Sequence, residues 1–243
     1  MTPPVFLAAP GSLEVGRVRL EGPEGRHAVV RRLEVGERVD LVDGAGGRGT
    51  GVVAAVMGRD RIDVDVTAVA QEPAPAVRLV VAQALAKGDR GELAVELLTE
   101  AGVDEVLPWA AERCVARWSG ERGDRSLARW RSSADEAAKQ ARRARWPTVG
   151  PAASTAELAA RGGSCALAVL LHEEALLPLG SLALPVVGDV LLAVGPEGGV
   201  GRGEQALLAA AGFVPARVGP TVLRTSTAGV VGLAVLSAKS RWA

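Results

Sequence analysis

The chain is poor in the residues that build several common kinds of site. It has two cysteines and two histidines in 243 residues. Cys114 and Cys165 stand far apart, which gives neither a disulfide framework nor a zinc-ligand cluster. His27 and His172 cannot supply a histidine-rich metal site either. These counts point to a reducing cytoplasm and to chemistry without a metal. Tyrosine is absent and aromatics make up 3%, which argues against a broad base-stacking surface. The 28 basic residues are balanced by 28 acidic ones, so bulk charge does not argue for a nucleic-acid partner. Such a partner has to be served by local basic patches. The longest apolar stretches, around residues 167–171 and 190–194, are too short to span a bilayer. Met1-Thr2-Pro3-Pro4-Val5-Phe6 lacks a basic region followed by an apolar core and does not read as a signal peptide. The expectation is a cytoplasmic protein with no membrane partner.

What is present suffices for a folded chain of two domains: the length allows both, and 48% apolar content excludes disorder. Up to about residue 70 the pattern is β. Residues 38–43 and 61–66 alternate polar and apolar, as strands with one buried face do, and glycine-rich turns separate them. A small barrel or sandwich of short strands follows from this. Residues 71–76 carry Pro73 and Pro75 without periodicity and read as a linker. The expected division is residues 1–72 and 73–243.

Beyond the linker, strand and helix patterns alternate. Strands are expected at 78–84, 103–108, 164–171 and 189–194, the last two as continuous apolar runs buried on both faces. Helices are expected at 89–101 (with Gly102 as a C-cap), 126–144, 203–211 and 227–240. This alternation predicts an α/β domain with a mostly parallel, doubly covered sheet.

Gly44-Ala45-Gly46-Gly47-Arg48-Gly49 matches GxGxxG, a dinucleotide signature only between a strand and a helix. Residues 50–57 look like a strand, so the motif reads as a hairpin turn. The segment Val194-Gly195-Pro196-Glu197-Gly198-Gly199 is more informative: a buried strand enters a glycine-rich loop, with Glu204 near the next helix start. Ligands of open α/β sheets bind beyond the carboxyl ends of strands, and glycine lets backbone approach a ligand closely. A turn that merely uses glycine remains the alternative. A second segment, Val218-Gly219-Pro220-Thr221-Val222-Leu223-Arg224-Thr225-Ser226-Thr227, leads into the last helix, with Ser or Thr as the expected cap. Arg224 is placed to reach a phosphate or carbonyl oxygen, the alternative being a surface ion pair.

These two segments together resemble the bacterial 16S ribosomal RNA uridine-N3 methyltransferases of the SPOUT superfamily. Further matches fall in the family's order: His27-Ala28-Val29-Val30-Arg31-Arg32-Leu33, Glu112-Arg113-Cys114 with Trp118, and Glu136-Ala137-Ala138-Lys139-Gln140 with Arg142 and Arg143. Ser226 stands where the family often has Glu, and Thr2-Pro3-Pro4 replace its usual basic N-terminal residues.

The resemblance implies a PUA-like β-barrel that binds RNA, followed by a SPOUT α/β domain with a deep trefoil knot. It implies methyl transfer from S-adenosylmethionine, with S-adenosylhomocysteine as product, to N3 of a uridine in 16S rRNA of the small ribosomal subunit. It also implies a homodimer and no metal. The cofactor residues then become Leu170, Leu171, His172, Val194, Gly195, Pro196, Glu197, Gly198, Gly199, Val218, Gly219 and Leu223. Arg224 becomes the catalytic residue, with Glu197 a weaker candidate for base. RNA contacts fall to His27, Arg31, Arg32, Arg113, Lys139, Arg142 and Arg143, with Arg145 in the same basic cluster. Read alone, such a charge run is equally a solvated face. The small residues Ala228, Gly229, Gly232 and Ala234 of the last helix suit close packing in the knot or across a dimer, or an ordinary core. The reading from another class is a non-catalytic RNA-binding or ribosome-assembly factor that retains the fold.

Overall fold

The computed structural model describes residues 3–9 and 11–242; Thr2 of the N-terminal departure lies outside the described residues. The chain divides into two units, one running to Ala74 and also holding Ala138–Trp146, the other holding Pro75–Ala137 and the chain from Pro147.

The first unit contains β1 (Val5–Leu7), β2 (Gly16–Leu20), α1 (Gly22–Val30), β3 (Arg38–Val42), β4 (Gly47–Met57) and β5 (Arg61–Gln71). They form one five-stranded sheet in the order β1-β3-β4-β5-β2. Two register shifts in the β4–β5 ladder, between Thr50 and Gly51 and between Val53 and Ala55, break its regularity as β-bulges do. The alternation of β2 and β5 sorts the residues. Val18, Leu20, Ile62, Val64 and Val66 enter the core, while Arg17 and Arg19 lie opposite Asp65 and Asp63. Arg19 Nε donates to Asp63 at 2.8 Å.

Helix α1 is not foreseen in the β pattern, because Gly22, Pro23 and Gly25 read as a turn. Gly25 is required for packing: a Cβ there would lie 2.0 Å from the Asp60 carbonyl oxygen. The GxGxxG segment does join two antiparallel strands, β3 and β4. Its glycines have a further use, since a Cβ on Gly46 would lie 2.4 Å from the Arg145 guanidinium. Gly46 N donates to Ala144 O at 3.0 Å and Trp146 N to Gly44 O at 2.9 Å, so the turn is built around the later segment.

The second unit contains β6 (Val77–Ala84), α2 (Arg90–Glu100), β7 (Glu105–Trp109), α3 (Gly120–Gln140), β8 (Thr148–Val149), α4 (Thr155–Gly163), β9 (Leu167–Leu171), β10 (Gly188–Val194), α5 (Arg202–Ala210), β11 (Val214–Ala216) and α6 (Thr225–Ala238). The sheet order is β11-β9-β10-β6-β7-β8, and every paired neighbour is parallel. Val80, Val81, Leu191 and Leu192 are fully buried, as strands covered on both faces require.

Three expectations need correction. Helix α3 begins at Gly120 and ends at Gln140 rather than spanning 126–144. Arg142 at φ 56 leaves the helical region, and the segment from Ala138 to Trp146 belongs to the first unit. Helix α4 is a missed element, although Ser154 and Glu157 form a capping box at its start. Helix α6 starts two residues early, with Arg224 as N-cap and no side-chain cap bond, so neither Ser nor Thr caps it.

Helix α6 lies close to the sheet. A Cβ on Gly232 would meet Leu192 Cδ2 at 2.8 Å, which accounts for its small residues within the chain's own core. At the amino ends of the strands, Asp189 pairs with both Arg78 and Arg161, and Glu105 with both arginines as well. Asp189 raises the Arg161 guanidinium above its ordinary value, chiefly through their hydrogen bond.

Candidate active site

The carboxyl ends of β9, β10 and β11 open onto a cleft of about 340 Å³ closed by the start of α6. Three loops distant in sequence meet there. Leu171 and His172 come from the end of β9. Val194, Gly195, Pro196, Glu197 and Gly199 come from the exit of β10, and Val218, Gly219, Leu223 and Arg224 from the β11–α6 loop.

Glycine has a physical reason at two of these positions. A Cβ on Gly195 would meet Val200 Cγ2 at 2.7 Å. Gly199 has φ +71, a conformation that L side chains rarely adopt. At Gly219, by contrast, a Cβ would meet nothing within 4 Å and the backbone angle is an ordinary one, so neither space nor conformation calls for glycine there.

Two predicted residues lie elsewhere. Leu170 is buried in the hydrophobic core and does not line the cleft, because strand alternation turns it away from Leu171. Gly198 lies on an adjoining polar cavity of about 380 Å³, where its carbonyl accepts from Arg113 Nη1 at 3.1 Å. Sequence reasoning missed Arg90, Glu173, Arg217 and Thr225, which also line the cleft. They belong to loops and helix starts without a pattern, and only the tertiary fold brings them together.

The walls are braced from behind. Thr225 Oγ1 donates to Gly195 O at 3.1 Å, joining the start of α6 to the glycine loop. Gln83, fully buried at the end of β6, donates to Thr225 O at 3.3 Å. The buried Glu204 carboxylate accepts from Glu112 N at 2.9 Å and from Thr155 Oγ1 at 2.5 Å, and also from Gly201 N at 3.2 Å. Glu204 is therefore a brace that fixes the Glu112 loop and the turn into α5.

Among groups able to take a proton, His172 has both ring nitrogens occupied: Nδ1 accepts from Glu174 N and Nε2 lies 3.2 Å from the Gln205 amide. Glu197 is 3.9 Å from Arg90. Arg224 is exposed on the rim and has no ion pair among the described residues. Burial pushes the Cys114 thiol up, which makes it a poor nucleophile.

Of the residues singled out for RNA, all but Arg113 lie in the first unit. His27 packs edge-on against Phe6, at 5.4 Å between ring centroids, as a core contact would. Arg31 and Arg32 follow α1 and are exposed, as is Arg142. Lys139 is held by Glu24 and lies 5.8 Å over the Trp146 ring. Arg143 is half-buried, and Arg145 donates to Glu72 O at 2.8 Å. Arg113 lies in the second unit, at the polar cavity.

A family model described as an RNA methyltransferase domain matches residues 72–237, and an RNA methyltransferase PUA domain model matches residues 20–67. The chain belongs to the RNA methyltransferase family. A ribosomal RNA small subunit methyltransferase E from Mycobacterium bovis is 44% identical over 92% of this chain and 87% of its own length. Among solved structures, the ribosomal RNA small subunit methyltransferase E of Neisseria gonorrhoeae bound to S-adenosylmethionine matches with a TM-score of 0.88 at 26% identity, over 98% of each chain. A methyltransferase from Legionella pneumophila in complex with the same cofactor matches at 0.85 and 28%, again over 98% of each chain. The family's fold therefore spans both units, with the cleft in the part that the methyltransferase model matches.

Proposed function

We propose that the chain is a ribosomal RNA methyltransferase that moves the methyl group of S-adenosylmethionine to N3 of a uridine in 16S rRNA of the small subunit. The observation that carries this reading is the meeting of three loops beyond parallel strands around one cleft, with an unpaired arginine on its rim.

The cleft fits the cofactor by its construction. Its apolar side chains (Leu171, Val194, Val218 and Leu223) suit an adenosine, and the close backbone at Gly195, Gly199 and Gly219 offers hydrogen-bonding groups without side chains in the way. When bound, S-adenosylmethionine supplies an electrophilic methyl on a sulfonium. The residues of this chain position the acceptor and manage its charge. Uridine N3 carries a proton near neutral pH, and the base becomes nucleophilic as that proton leaves. Arg224 beside O2 or O4 stabilises the negative charge that then spreads onto the carbonyls. Glu197 remains a weaker candidate for the base, beside its pairing with Arg90.

Arg31, Arg32, Arg113, Arg142 and Arg143 position RNA through its phosphates, without reading sequence. In this reading the chain is knotted, forms a homodimer and works in the cytoplasm. Exposed apolar residues of the second unit support the dimer: Leu176 is 90% exposed and Val186 87%. No helix of the described residues is long and apolar enough to cross a membrane.

Titration calorimetry with S-adenosylhomocysteine tests the cofactor assignment. Saturable one-site binding that weakens in Gly195→Val supports it. An absence of binding favours the non-catalytic RNA-binding factor.

A further inference from the structure

The second unit has another cleft, of about 590 Å³, which the proposed chemistry leaves unused. Gly88 and Asp89 of the β6–α2 loop form one side, and Arg117, Trp118, Arg122 and Arg129 another.

Its chemistry is specific. Of the neighbouring tryptophans, Trp109 and Trp130 are buried, whereas Trp118 is half-exposed at the cleft. Trp130 meets it edge-to-face at 5.0 Å and 80°, which holds the ring in place. Arg117 is held by backbone carbonyls, donating to Glu112 O at 2.8 Å, so no acid neutralises it. Arg122 is exposed and has no ion pair among the described residues. Arg129 is satisfied by Glu92 at 2.9 Å, and Asp89 keeps the cleft from being strongly basic. A pre-held indole beside two uncompensated guanidiniums matches a nucleotide: a flat base to stack and a phosphate to pair.

Position adds to this. Asp89 lines this cleft and the next residue, Arg90, lines the cofactor cleft, so the start of α2 serves both. We propose that this cleft binds an unstacked nucleotide of the RNA substrate, a neighbour of the base being methylated. Trp118 stacks on its base, and Arg117 and Arg122 hold phosphates. The proposal rests on the chain acting on RNA and is independent of which atom is methylated.

The test uses the full chain and a short fluorescein-labelled oligouridylate, read by fluorescence anisotropy, with S-adenosylhomocysteine affinity as the control for fold. Trp118→Leu should weaken RNA binding about ten-fold, while Trp118→Phe keeps most of it, as stacking requires. Arg122→Ala should weaken binding a few-fold and lower the salt slope by about one ion. A 4-thiouridine version of the probe should crosslink to the peptide containing Trp118. Wild-type RNA affinity in Trp118→Leu and Arg122→Ala would overturn the proposal. So would a Phe variant as weak as Leu, which would mean that Trp118 only packs against Trp130. Crosslinks confined to other peptides, or no binding by the wild-type chain, count equally against it. Should Trp118→Leu lose the control affinity, Arg122→Ala and the crosslink decide. A wild-type chain that binds the probe at Trp118 yet methylates no small-subunit RNA would sink the proposed reaction and leave this cleft standing.

Discussion

The Thr225 hydroxyl donates to the Gly195 carbonyl at 3.1 Å, so the first turn of α6 and the loop leaving β10 are held as one wall of the cleft. Thr225→Val keeps the shape and removes the bond, and a net hydrogen bond is worth roughly 1 kcal/mol. Stability should fall by roughly 1 kcal/mol, and affinity for S-adenosylhomocysteine should fall about five-fold as the wall loosens. Calorimetry on the variant checks this, and an unchanged affinity would show that the tie does not shape the pocket.

Arg224 caps α6 by its backbone, its carbonyl accepting from Ala228 N at 2.8 Å, and its guanidinium is free on the rim. Removing the side chain leaves the helix start intact. Arg224→Ala should cut kcat by about 10²–10³-fold, the range for losing a donor to developing charge. Its cofactor affinity should stay within about two-fold, since the account gives the arginine a role in chemistry rather than in binding. Equal losses in both would place it in cofactor binding instead.

Two glycines in helices should respond oppositely to alanine. At Gly232 the new Cβ meets Leu192 at 2.8 Å, and overpacking of this kind costs about 1–3 kcal/mol. At Gly203, in the first turn of α5, a Cβ meets nothing within 4 Å, and the change should stabilise by about 0.5 kcal/mol or less through helix propensity. Urea unfolding of both variants checks the signs. A neutral Gly232→Ala would mean that α6 has room to shift.

In the first unit the Arg19 guanidinium, through its hydrogen bond, holds the Asp63 carboxyl below the usual carboxylate range. A lowered folded-state value stabilises fully above the ordinary Asp range, near pH 4. That stabilisation is lost as pH falls through the lowered value. Asp63→Asn should therefore be less stable than wild type at pH 7, and the gap should close as pH falls below about 4. Urea midpoints across that range check it, and a gap independent of pH would remove the charge from the explanation.

The parallel sheet was legible because β9 and β10 are apolar runs that only a doubly covered strand needs. The glycine loops were legible because their glycines are clustered. Helix α1 was hidden because Gly25 is there to pass Asp60, a contact invisible in one dimension. The extent of α3 was misread because Gly120 and Gly123 weaken its start, and Arg142, whose φ turns positive, gives no warning of where it ends. At the cleft, Thr225 reads as one of three hydroxyl residues before a helix and as a cap. Its actual bond runs to a residue 30 positions away. Leu170 was one residue off, which in a strand means the opposite face.

The central claim is methyl transfer to N3 of a uridine. Purified protein, labelled S-adenosylmethionine and small ribosomal subunits from a strain lacking the modification give the direct measurement, with nucleosides identified by mass spectrometry. The account predicts label as 3-methyluridine in the small-subunit RNA, lost in Arg224→Ala. Label on another base or atom, or no label from a chain that binds the cofactor, would contradict it.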